Sequence, residues 1–97
     1  MSAVNGWRHQ DRARFYSALK AEGFALVRDA QPVDRLTRGS AEVRIMGEYW
    51  RSCRVTCGGR FMDVEIVGGR GWPERLAAAC LDRAWTLAAQ HRRIDAS

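Results

Sequence analysis

Ninety-seven residues and 11.0 kDa are enough for one hydrophobic core and too few for two, so a single domain over residues 1–97 is expected. With 46% hydrophobic and 28% charged residues the composition is that of a soluble globule, and no uncharged stretch approaches the roughly 20 residues that a bilayer span needs. The net charge of +5 comes almost entirely from arginine, with Lys20 the only lysine.

Arginine matters because its planar fork can hold a phosphate or a carboxylate through two parallel hydrogen bonds. A GC-rich coding sequence yields the same bias, however, and the surplus is spread along the chain rather than gathered in a basic tail. The first fourteen residues have no apolar run before a small-residue cleavage site, so a cytoplasmic location is expected. Three cysteines, an odd number, read as reduced thiols.

Residues 1–10 read as a loose terminus, because a helix extended back to Trp7 would carry Arg8 onto the line between Phe15 and Leu19. From Asp11 to Glu22 the spacing of Phe15, Ala18 and Leu19 predicts a helix, with Asp11 as its N-cap. Gly23 suits a left-handed C-terminal stop, after which Phe24 packs back on Leu19. Phe24 to Arg28 reads as a short strand. Residues 29–40, with Pro32 and Gly39 and little periodicity, read as a long surface loop that offers Arg35 and Arg38 for contact with a partner.

Glu42 to Met46 alternates with Val43 and Ile45 inward. A three-residue loop, Met46-Gly47-Glu48, would pair Ile45 with Tyr49 and put Trp50 on the outer face beside Arg44. Ser52 to Val67 carries the clearest signal, two alternating runs around Gly58-Gly59. Pairing Cys57 with Arg60 brings Val55 opposite Met62 and Cys53 opposite Val64 on an apolar side. On the other side it aligns Arg54 with Asp63, Thr56 with Phe61 and Ser52 with Glu65. Gly68-Gly69-Arg70-Gly71 then precedes a helix from Pro73 to about Ile94, whose apolar stripe runs through Leu76, Cys80, Ala84, Leu87, His91 and Ile94, with Trp85 at its border.

Few constellations carry chemistry. Cys53, Cys57, Cys80 and His91 are four soft ligands, but Cys53 and Cys57 lie about 13 Å apart on one extended strand, too far to share a metal. No metal or cofactor is expected. The glycine-rich segment could place backbone amides and Arg70 around an anion, yet it lacks the phosphate-loop spacings, Pro73 removes a donor and Glu74 adds a negative charge. His9 and His91 have no evident catalytic partner, so no enzyme is expected.

The order of elements predicts an α+β domain: an antiparallel sheet of three to four strands with an N-terminal and a long C-terminal helix packed on one face. From the meander onward the layout resembles that of the double-stranded RNA-binding domain, but Glu74-Arg75-Leu76-Ala77 stands where that family places a lysine cluster, and the strand from Phe24 is extra. No residue role is carried over.

The leading expectation is a non-enzymatic protein that binds a protein or nucleoprotein partner through Trp50, Arg44, Arg54, Arg35 and Arg38. In style it resembles phage or mobile-element factors that inhibit host defence complexes. The alternatives are direct nucleic-acid binding by arginine–phosphate contacts and self-association, including a homodimer; no membrane is expected as a partner.

Overall fold

The computed structural model describes residues 7–27, 35–46, 51–66 and 68–96, with side chains up to residue 92. Along these residues run α1 (His9–Lys20), β1 (Ala25–Val27), β2 (Arg35–Arg38), β3 (Ala41–Ile45), β4 (Ser52–Cys57), β5 (Arg60–Glu65) and α2 (Trp72–Ala96). All neighbouring strands are antiparallel in the order β1-β2-β3-β4-β5, so the fold is α+β with a five-stranded sheet, not the three to four strands expected.

α1 begins two residues earlier than its periodicity implies. Asp11 lies in the first turn rather than at the cap, where its Oδ2 accepts the Arg8 backbone N–H at 3.0 Å. The chain before it is not loose over its described part. Trp7 packs edge-on against Phe15 and Trp72, with ring centroids 5.1 and 5.0 Å apart, and this aromatic contact draws the helix start inward. The C-terminal end follows the sequence: Gly23 has φ +92°, the Phe24 N–H reaches the Leu19 carbonyl at 3.1 Å, and Leu19 and Phe24 are both buried.

The additional strand is β2, which lies inside the segment expected to be a loop over 29–40. It hairpins into β3 through Gly39-Ser40, pairing Arg38 with Ala41 and Leu36 with Val43, and Leu36 is wholly buried. Pairing, not local composition, makes this a strand: one inward leucine between outward polar neighbours is enough once β1 and β3 flank it.

Between β3 and β4 the expected three-residue loop is not formed. Ile45 faces Cys53 rather than Tyr49, and the Met46 N–H donates to the Ser52 carbonyl at 3.1 Å, so the connection is longer. Trp50 lies outside the described residues. The β4–β5 hairpin keeps the expected register along its whole length, with Gly58 and Gly59 at φ +62° and +80°.

Alternation divides every strand. Leu36, Ala41, Val43, Ile45, Cys53, Val55, Cys57 and Val64 form one buried cluster with Phe15 and Leu19 of α1 and with Leu76, Ala77, Cys80, Ala84 and Leu87 of α2. This side of the sheet is its core face. α2 contacts β3, β4 and β5, and its alanines allow close approach of helix to sheet. It starts at Trp72, which makes Pro73 the second helical residue, a position that also needs no N–H partner. Among the described residues no helix is long and apolar enough to cross a membrane.

Candidate interaction face

The registers place the outward positions of the strands in rows that cross the sheet. One row is Val27, Arg35, Arg44, Arg54 and Asp63; the next is Ala25, Thr37, Glu42, Thr56 and Phe61. Three arginines therefore stand directly opposite one another on β2, β3 and β4. Neighbouring strands are about 4.8 Å apart, so like charges are held at close quarters, an arrangement that opposes strand pairing.

Two carboxylates offset that repulsion. Glu42 lies between two of the guanidinium groups, accepting from Arg35 Nη1 at 3.0 Å and lying 3.5 Å from Arg44 Nη2. Asp63 closes the row by accepting from Arg54 Nε at 2.8 Å and Nη2 at 3.2 Å. This forked bond from Arg54 holds the Asp63 carboxyl below its ordinary range. Arg54 also covers the Phe61 ring, 4.1 Å from its centroid, while Phe61 remains 55% exposed. Arg44 is held least tightly, its ion pair with Glu42 being the longest in the row.

Of the partner-binding residues expected from the sequence, Arg35, Arg44 and Arg54 are thus brought together. Arg38 is not. It is in register with buried Ala41 at the edge of the core face, and its guanidinium lies 4.8 Å from the Trp85 ring of α2, which is 42% exposed. Arg44 has Arg54 as its cross-strand neighbour where Trp50 was expected beside it.

The sequence reading missed that Arg35 belongs to the row, and it missed Glu42 as the shared counter-ion. Gly39-Ser40 was the available signal, a two-residue turn of the type that marked the β4–β5 hairpin.

The glycine-rich segment before α2 is engaged by arginines other than Arg70. Arg75 Nη2 donates to the Gly68 carbonyl at 2.5 Å, and Arg51 lies against Gly68 and over the Trp72 ring, 4.5 Å from its centroid. A side chain on Gly68 would overlap the Arg51 guanidinium, so the absence of Cβ permits this packing. Arg70 is exposed beside this cluster. At the same end of α2, Arg14 of α1 forks onto Glu74 at 2.6 and 2.7 Å and holds that carboxyl below its usual range.

The cysteines go separate ways. Cys53 and Cys80 meet across the β4–α2 contact, where their mutual hydrogen bond and burial push the Cys53 thiol well above its ordinary pKa. Cys57 lies 3.5 Å from the Ser40 hydroxyl, and His91 packs on the Gly58 turn. Among the described residues no three His, Cys, Asp or Glu side chains converge as a metal site would require.

Comparison with protein-family models, with curated proteins and with solved structures gives no match for this chain.

Proposed function

We propose that this is a non-enzymatic binding protein that acts by stoichiometric contact with a protein or nucleoprotein partner through the outward face of its sheet. The observation that carries the reading is the arginine row: Arg35, Arg44 and Arg54 aligned across three strands beside exposed Phe61. Folding gains nothing from opposed like charges, whereas arginine and aromatic side chains recur at interface hot spots. Among the described residues, Arg44, Phe61 and Asp63 of this face are exposed. Such blocking contact is the mode of action expected of a mobile-element inhibitor of a host defence complex.

Direct nucleic-acid binding fits the face less well. Glu42, Asp63 and Glu65 are interleaved with the arginines, and a phosphate track would have to pass over them. The Arg54 guanidinium also occupies one face of the Phe61 ring, where a base would stack.

Capture from the native host with wild type and with Arg44→Glu tests the reading. A partner retained by wild type in fixed stoichiometry and lost with Arg44→Glu supports it; equal recovery by both proteins removes the sheet face from the argument. A steep fall in affinity with salt that vanishes after nuclease treatment assigns the face to nucleic acid instead.

A further inference from the structure

The core brings together two sulfur atoms from distant parts of the chain, on the side of the sheet opposite the arginine row. We propose that Cys53 of β4 and Cys80 of α2 form a redox-sensitive staple, which a disulfide oxidant such as oxidised glutathione closes into a bond between sheet and helix and which a thiol reductant reopens.

Two contacts fix α2 along β4. Just before the strand, the Arg51 guanidinium lies 4.5 Å from the centroid of the Trp72 ring; just after it, Gly58 lies against the His91 ring. Helix and strand therefore run side by side in the same direction. Counted back from the Gly58–His91 contact, Cys53 is five strand residues away, about 16.5 Å, and Cys80 is eleven helical residues away, also about 16.5 Å. The two stand at one level. Both are wholly buried in the core cluster, and they hydrogen-bond to one another. Cys57 is excluded. It sits at the Gly58 end of β4, about 13 Å from the level of Cys80, and its sulfur lies 3.5 Å from the Ser40 hydroxyl instead. Of the three free cysteines, the fold thus selects one pair and leaves the third out.

Burial decides when the staple closes. Neither residue has exposed surface for an oxidant to reach, and a raised pKa keeps Cys53 protonated and a poor nucleophile while α2 is docked. Once α2 lifts from the sheet, one cysteine thiolate attacks a sulfur of oxidised glutathione. The glutathione S–S bond breaks, a mixed disulfide forms and one glutathione thiolate leaves. As α2 returns, the second cysteine attacks the protein sulfur of the mixed disulfide, the Cys53–Cys80 bond forms and the second glutathione leaves. Two electrons and two protons have passed from the cysteines to glutathione. The new bond restricts the unfolded chain, so the oxidised protein is harder to unfold.

The test is refolding of the full chain from urea in a buffer of reduced and oxidised glutathione, followed by acid quenching, alkylation under denaturing conditions and mass spectrometry of non-reduced peptides. The expected product is a monomer with Cys53 joined to Cys80 and Cys57 alkylated. Its unfolding equilibrium constant in urea should be lower than that of the reduced protein by roughly tenfold or more, and should return to the reduced value with dithiothreitol. Cys57→Ala should form the same bond, which keeps the test intact should Cys80→Ala fail to fold. Native protein placed in the same buffer without urea should oxidise at least tenfold more slowly than the refolding chain. A bond through Cys57, mixed disulfides or intermolecular products alone, or a Cys53–Cys80 bond that makes unfolding easier would each overturn the staple. Equal rates of oxidation for native and refolding protein would overturn its gating by burial.

Discussion

The two faces of the sheet share strands, register and alternation, yet folding explains only one of them. On the core face, Leu26, Leu36, Val43, Val55 and Met62 form a row in which every neighbour adds to apolar burial. The parallel outward row sets arginine against arginine twice. A row that supports pairing is accounted for by stability; a row that opposes pairing and is kept in order by carboxylates asks for another explanation. Stability and binding should therefore respond to opposite sets of substitutions.

The largest effect expected is on the core face. Leu36 is wholly buried, although its strand has the least apolar sequence of the sheet, and Leu36→Ala should cost about 2 to 5 kcal/mol in urea denaturation. A cost below about 1 kcal/mol would mean that β2 is not integral to the core. Gly58→Ala comes next. Gly58 has φ +62° and no room for a Cβ beside the His91 ring, so left-handed strain and displacement of that ring together should cost about 1 to 3 kcal/mol. If Gly58→Ala proves neutral, His91 does not pack on the turn.

The Cys53–Cys80 contact gives a smaller effect that depends on pH. Because the Cys53 pKa is raised in the folded state from an ordinary 9.0, the unfolded chain loses this proton first as pH rises. Stability is thus unaffected below about pH 9 and falls above it, by about 1.4 kcal/mol per pH unit from this thiol. Equilibrium unfolding between pH 8 and 10.5 should show the slope in wild type and lose it in Cys53→Ala. The buried thiols should also resist an aromatic disulfide reagent until the protein unfolds.

The two faces were unequally legible in the sequence. The β4–β5 hairpin could be read because Gly58-Gly59 fixed the turn and the alternation on either side fixed the register, two signals with one answer. α1 and α2 were equally plain from periodicity and from Gly23. β2 was hidden because Leu36 is its single apolar residue, set among Arg35, Thr37 and Arg38, so that its four residues show no hydrophobic alternation. The β3–β4 connection was misplaced because several loop lengths keep Ile45 inward, and local rules favour the shortest. These two errors share a consequence: without β2 and the true partner of Ile45, Arg35, Arg44 and Arg54 are scattered along the chain. Their alignment is a property of pairing between strands, which alternation within a strand does not encode.

The smallest expected change in stability is also the one that separates the faces most sharply. Arg44→Thr replaces the central arginine by a β-branched residue suited to an exposed strand position, ends both like-charge oppositions and leaves Glu42 paired with Arg35. Stability should stay within about 0.5 kcal/mol of wild type, with any shift toward the more stable side, while partner retention falls at least tenfold. Leu36→Val, a milder lesion on the same strand pair, should reverse the pattern, lowering the unfolding midpoint while the folded fraction retains the partner. Were Arg44→Thr to lower stability by more than about 1 kcal/mol, the arginine row would be part of what holds β2, β3 and β4 together, and the case for an outward face reserved for binding would lose its physical basis.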